Sequence, residues 1–269
     1  MSEMPYAAGL GPQSPDGSRG AGWVVFGAGG HARSVVDVLE RLGESVVAVA
    51  GDAGGREWHV DVLENEDAAI ERVVTEGLQA VVAIGDSAVR LSLLGKLQRA
   101  AQLARTPSGT AHSTKGEAAR SAHSTKVEAA RSAHSSETGP EVSSSVQYAP
   151  AVVAASATVS PQAMLGPGTV VLEHAHVGPS ARLGVGVIVN TAAIVEHDCV
   201  VGDGAHIAPG AALLGAARIG TGTFVGAGAR VLPGIELCAD VMVGAGAVVT
   251  RSVPAGMTVV GVPARLVHS

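Results

Sequence analysis

The stretch Val189-Asn190-Thr191-Ala192-Ala193-Ile194-Val195-Glu196-His197-Asp198-Cys199-Val200-Val201-Gly202-Asp203-Gly204-Ala205-His206-Ile207 carries the period that decides the fold. Val189, Val195, Val201 and Ile207 fall at every sixth position, and the same step runs outward from Val153 to Val249 without a slip. Four residues after each of them stands a small or β-branched residue, here Ala193, Cys199 and Ala205, from Ala157 through to Val253. A repeat of six fits neither the helical period nor the simple alternation of a strand. It is the hexapeptide signature of a parallel β-helix, in which short strands stack coil upon coil. The two apolar positions of each hexad point inward, and Gly or Pro near the corners, as in Gly166-Pro167-Gly168, lets the backbone turn.

Composition bounds what else the chain is. Its 269 residues suffice for two modest domains, and an aromatic content of 2% suits a core of aliphatic ladders. A net charge of −6 without a basic stripe argues against nucleic acid as a partner. No apolar run reaches the roughly twenty residues of a membrane span. Met1 to Gly20 is rich in Gly, Pro and Ser and lacks the apolar centre of a signal peptide, so residues 1–22 are expected to form a disordered extension. Cys199 and Cys238 read as packing residues and not as a disulfide framework. A soluble, cytoplasmic protein is expected.

Residues 23–106 have a different texture. Trp23-Val24-Val25-Phe26 reads as a buried strand entering Gly27-Ala28-Gly29-Gly30-His31, followed by helical spacing that Gly43 stops. Strands are expected over 46–50 and 80–84 and helices over 68–74 and 88–104, which makes a small Rossmann-like α/β unit with a parallel sheet. Residues 107–145 hold an eleven-residue tandem repeat, Ala111 to Ser121 and again Ala122 to Ser132, almost free of large apolar side chains. An eleven-residue step would nearly align His112, His123 and His134 on one helix face, which raises a metal site; the alternative is a low-complexity linker insert that cannot offset its ordering entropy. Residues 146–269 form the β-helix domain.

Two motifs carry chemistry. Gly27-x-Gly29-x-x-Ala32 lies between a strand and a helix, where backbone N–H groups cradle phosphate, and Asp52 ends the next strand, where a ribose-binding carboxylate sits. The pattern alone leaves room for plain NAD binding or for glycines used only in packing. In the β-helix, His197 occupies an outward corner between Glu196 and Asp198. A neighbouring carboxylate orients an imidazole and raises its basicity, as a general base requires. The pattern alone is equally that of an ordinary exposed histidine. A three-histidine zinc site from His174, His176 and His206 is a further use of such residues, although their spacing does not match that of β-helical carbonic anhydrases.

Four segments together carry a family resemblance: Val24-Val-Phe-Gly-Ala-Gly-Gly-His31, Ala83-Ile-Gly-Asp86, Asn190 to Asp198, and Val253-Pro-Ala-Gly with Gly261-Val-Pro-Ala-Arg265. The chain resembles the sugar acyltransferases of the bacillosamine and sialic-acid O-acetyltransferase type, the PglD and NeuD group, over residues 23–105 and 146–267. The resemblance implies a Rossmann-like domain joined to a left-handed β-helix, homotrimers, and acetyl-CoA as co-substrate without a metal. By matching position it implies His197 as general base and Asp198 as its orienting acid. Many relatives have Glu at that place, so the share taken by Glu196 stays open. It further implies Asn190 at the acceptor site, His206 near the thioester and the Gly215 N–H on the oxyanion. The turn with Gly27, Gly29, Gly30 and His31, together with Asp52, is implied to bind the nucleotide of a nucleotide-sugar. The expected function is therefore acetyl transfer to a nucleotide-activated amino sugar. The alternatives are a sialic-acid-type sugar O-acetyltransferase and a non-catalytic nucleotide-sugar-binding protein; intact His197 and Asp198 argue against the last.

Overall fold

The computed structural model describes residues 22–105 and 149–267. Residues 1–21 and the eleven-residue repeats, with His112, His123 and His134, lie outside the described residues.

Strands β1 (Trp23–Phe26), β2 (Val46–Ala50), β3 (Asp61–Leu63) and β4 (Gln79–Val82) pair in parallel in the order β3-β2-β1-β4. Helices α1 (Gly30–Arg41), α2 (Glu66–Thr75) and α3 (Ser87–Arg105) complete the α/β unit. β1 is buried along its whole length, as a parallel strand covered on both faces must be, and its unbroken apolar run reflects that. The short strand β3 escapes sequence reading because Asp61 and Val62 are exposed at the sheet edge and carry no apolar period. α2 begins ahead of the expected Ala68 because Asn65 caps it. The Asn65 side chain accepts the Ala68 N–H at 3.1 Å, and Glu66 and Asp67 complement the helix dipole in the first turn.

From Val152 to Val249 each hexad contributes a two-residue strand, and these strands sort into three parallel sheets that form the sides of a prism; at the end of the chain Arg265–Leu266 pairs antiparallel with Thr258–Val260. Face one includes Val152–Val153, Ile188–Val189 and His206–Ile207; face two includes Ile194–Val195; face three includes Met164–Leu165 and Val200–Val201. Register partners lie one coil apart, as Val189 with Val171 below and Ile207 above. Val189, Val195, Val201 and Ile207, with Ala193, Cys199 and Ala205, are at most 2% exposed and belong to one continuous core. Both apolar positions of the hexad therefore point inward. Cys199 and Cys238 are free thiols.

Face one is the face that the α/β unit covers. Its outward residues Val170 and Ile188 are fully buried, whereas the outward residues Ile194 on face two and Met164 on face three are 37% and 47% exposed. Val152, Val170 and Leu172 join α1 residues such as Val35 and Val36 in one apolar cluster.

Helix α3 docks along the corner that leads from face three into face one. The second residue of a β-helix turn has positive φ, and other corners accept Ser180, Ala192, Asp198 and Ala216 there, with φ between 55° and 59°. Along α3 the same position is glycine in four successive coils: Gly168, Gly186, Gly204 and Gly222. A Cβ on Gly168 or Gly186 would fall 2.7 or 2.6 Å from Leu94, and one on Gly204 would fall 2.8 Å from Leu91. Helix pitch, about 5.4 Å, nearly matches a coil spacing of about 4.8 Å, so successive turns of α3 meet successive coils.

Candidate active site

A cleft of ≈ 410 Å³ opens at the carboxyl ends of β1, β2 and β4, lined by the turn from Gly27 to His31, by Gly51 and Asp52, by Ile84 and Gly85, and by Glu66. This is where ligands bind in parallel α/β sheets. Gly27 has φ +120°, and a Cβ there would meet the Ala83 carbonyl oxygen at 2.6 Å, so the fold itself requires this glycine. Gly29 and Gly30 differ: a Cβ on either would meet nothing within 4 Å. Their missing side chains leave the amino end of α1 open to the cleft. Gly29 is the N-cap and supplies no side-chain cap, so first-turn N–H groups of α1 are left for an anion. Asp52 is exposed, and its Oδ1 accepts the Gly54 N–H at 2.7 Å. Glu66, paired with Lys96 of α3, places a second carboxylate at the cleft that sequence reading did not single out.

At the junction of cleft and β-helix stand His31, Asn190 and His206. His31 follows the first residue of α1, and its Nε2 is buried without a hydrogen-bond partner. Its ring centroid is 6.3 Å from that of His206, which also makes a 5.1 Å edge contact with Phe224. The Thr191 N–H donates to Asn190 Oδ1 at 2.8 Å and so fixes the amide, whose Nδ2 donates to His206 Nε2 at 3.1 Å. Because Nε2 accepts, the proton of His206 resides on Nδ1. Burial, reinforced by the Arg90 charge, lowers the pKa of His31 to about 4. Burial, the His31 ring and Arg90 lower that of His206 to about 4 as well. Both imidazoles are neutral near pH 7.

The other group lies on the corner between faces two and three. His197 starts this turn, Asp198 follows with φ 59°, and their side chains are 57% and 61% exposed. His197 Nδ1 is 2.8 Å from Asp198 Oδ2. A carboxylate only accepts, so the proton sits on Nδ1 and Nε2 is left as a free base. Glu196 makes no hydrogen bond or ion pair to the ring, so the orienting contact belongs to Asp198. One coil on, the ring overlies Gly215: a Cβ there would be 2.6 Å from His197 Nε2. The Gly215 N–H donates no hydrogen bond among the described residues, while the flanking N–H groups of Leu214 and Ala216 are both engaged in the ladder. The same corner holds Pro179 one coil before His197 and Pro233 one coil after Gly215, as befits a position whose N–H the ladder does not use.

The sequence-derived residues thus separate into two groups. Gly27, Gly29, Gly30, His31 and Asp52 meet Asn190 and His206 on the face-one side. Glu196, His197, Asp198 and Gly215 gather at the corner between faces two and three, which in a three-sided prism is opposite face one. His174 and His176, on the turn into face two and on that face, do not join His206. Among the described residues no group of three or more His, Cys, Asp or Glu could hold a metal ion. No helix among them is long and apolar enough to cross a membrane.

Residues 23–97 match the family described as PglD N-terminal domain, and residues 216–251 match that of the bacterial transferase hexapeptide, six repeats. Curated proteins gave no match. Among solved structures, the chain is 30% identical to PerB of Caulobacter crescentus in complex with CoA and GDP-perosamine, covering 92% of this chain and 98% of that one with a TM-score of 0.71. A variant of that GDP-perosamine N-acetyltransferase with a histidine replaced by alanine aligns at 29% identity and a TM-score of 0.72, covering 93% of this chain and 98% of that one. The acetyltransferase domain of PglB from Neisseria gonorrhoeae, in complex with acetyl coenzyme A, is 28% identical at a TM-score of 0.72, covering 93% of this chain and all of that one, 100%. With the α/β cleft, the hexapeptide prism and this agreement along nearly the whole chain, the protein belongs to the PglD family of hexapeptide-repeat sugar acetyltransferases.

Proposed function

We propose that this enzyme transfers an acetyl group from acetyl-CoA to the amine of a nucleotide-activated amino sugar by direct attack. The observation that carries the mechanism is the His197–Asp198 pair over Gly215, which sets a bare Nε2 beside an unused backbone N–H. The amine attacks the thioester carbonyl carbon while Nε2 takes its proton. The Gly215 N–H holds the oxyanion, and collapse expels CoA thiolate, to which the imidazolium returns the proton. A thioester is already activated, so no enzyme nucleophile is needed. The nucleotide occupies the α/β cleft, with diphosphate at the amino end of α1 and ribose toward Asp52. Neutral His206 presents its Nδ1–H to the thioester side, with Asn190 holding the ring. The CoA and GDP-perosamine complexes of the aligned enzyme support this assignment of ligands.

In a single chain the base corner faces away from the cleft. We therefore assign the active site to the junction of two protomers in a homotrimer, one supplying the cleft with His206 and the other His197. The same reading assigns the enzyme to the cytoplasm, where acetyl-CoA is available. The decisive experiment follows thiol release from acetyl-CoA with GDP- and UDP-linked 4-amino and 3-amino sugars, each paired with its hydroxyl counterpart. Acetylation of an amino sugar with a kcat/KM well above that of the hydroxyl analogue supports the proposal. Thiol release only with hydroxyl sugars, or with none of the panel, refutes it. Light scattering that reports a monomer at micromolar concentration refutes the shared site.

A further inference from the structure

Arg90 is fully buried, and among the described residues no carboxylate pairs with it. A buried charge is tolerated only where its donors are satisfied. Here four of the five guanidinium N–H groups find backbone carbonyls, drawn from both domains. Nε donates to Gly186 O at 2.7 Å and Nη2 to Gly204 O at 2.5 Å. Nη1 donates to Ile84 O at 2.6 Å and Gly85 O at 2.9 Å. Ile84 and Gly85 line the nucleotide cleft. Gly186 and Gly204 open the two coils that carry Asn190 and His206, with Gly204 two residues before His206.

We propose that Arg90 is the positioning residue of this enzyme: its planar fork locks the cleft edge at Ile84–Gly85 to the two coils bearing Asn190 and His206, and so sets the gap between His31 and His206 across which the acceptor sugar is presented. The 6.3 Å between those rings is spanned by no hydrogen bond among the described residues, and it follows from how the α/β unit that carries His31 seats on face one. Leu91 and Leu94 supply the apolar seating against Gly204, Gly186 and Gly168, but apolar contacts tolerate sliding. The four carbonyl bonds give the direction that the leucines lack. Lysine would keep the charge and lose the fork, because an ammonium is a point donor on a flexible stem.

The test is Arg90→Lys in the full chain, measured at a temperature where circular dichroism shows it folded, with Arg90→Gln as a second variant that keeps a planar donor and loses the fork. The proposal rests on the acetyltransferase reading, so one readout is independent of turnover: imidazole NMR titration of His31 and His206. In the unsubstituted protein burial lowers both to about 4, and their titrations are expected there. In either variant both should move upward toward 6.5 as the gap opens to water. In assays with the accepted sugar, kcat/KM for the nucleotide-sugar should fall about a hundredfold while KM for acetyl-CoA changes less than threefold, as about 1 Å of misplacement implies. A lower melting temperature with unchanged titrations and unchanged kcat/KM in the folded variant would overturn the proposal and leave Arg90 a structural residue. If Arg90→Lys does not fold, an unchanged kcat/KM for the nucleotide-sugar in folded Arg90→Gln overturns it equally. Absence of turnover in the unsubstituted protein would overturn the functional reading instead, with the titrations still deciding the positioning role.

Discussion

His197 Nε2 lies over the α-carbon of Gly215, so closely that a Cβ on that glycine would be 2.6 Å from it. Unlike the glycines at the second turn position, Gly215 is not in the left-handed region, so its backbone conformation suits any residue. What excludes a side chain here is the imidazole. Gly215→Ala is therefore expected to fold with a melting temperature close to that of the unsubstituted protein. Its kcat should fall about a hundredfold, because the ring must tilt away from its place beside the Gly215 N–H. Stopped-time assays with circular dichroism melts check both halves.

His197→Ala removes the base from a rigid corner without touching the core, since the side chain is 57% exposed. Loss of a positioned general base costs about a hundred- to ten-thousand-fold in rate. That loss should appear in kcat, with nucleotide-sugar affinity by calorimetry unchanged. Asp198→Ala should cost less, because the imidazole remains and only its tautomer and orientation relax. A kcat within threefold of normal for His197→Ala would contradict the assignment and turn attention to His206.

Gly30→Ala should separate stability from binding. The site has room for a methyl group, and replacing glycine by alanine in a helix stabilises by up to about 1 kcal/mol, less in the first turn. On the proposed placement of the nucleotide, the methyl group would project into the space of the diphosphate. The expected result is an equal or higher melting temperature together with at least a tenfold weaker Kd for the nucleotide-sugar, read by calorimetry.

Stability should fall on mild acidification. His31 and His206 have folded-state pKa values lowered from 6.5 to about 4, so the unfolded chain binds more protons than the folded one between those values. Their stabilising contribution is fully present above pH 6.5 and is lost progressively as the pH falls toward 4. Each group accounts for about 2 kcal/mol between pH 7 and pH 5. Urea titrations at the two pH values should show this fall, and His206→Asn should remove part of the difference.

Much of the architecture was legible in the chain because it is periodic. A core only two inward residues per hexad wide forces Val, Leu or Ile at every sixth position, and any slip would turn a hydrophobe outward. The α/β strands β1 and β2 were legible for a related reason, since a strand buried on both faces reads as one apolar run. β3 was not, for an exposed edge strand places no such demand on its residues. One clue stood in the sequence without being read. Glycines at 168, 186, 204 and 222, one coil apart, mark the corner where α3 lies, and Arg90 is a charged residue on the helix that docks there.

The sequence by itself determined the hexapeptide prism, the parallel α/β unit before it, and the placing of His197 between the two carboxylates of Glu196 and Asp198. Each of these is set by residues near one another in the chain, through periodicity, burial or adjacency. Tertiary structure alone decided which face of the prism the α/β unit covers, and so that His31 meets His206 while His197 stands on the opposite corner. It also decided that Arg90 would be buried on carbonyls of two domains and that His31 and His206 would be neutral. These depend on how α3 and face one pack and on the dielectric that packing creates, quantities to which no local stretch of sequence is tied.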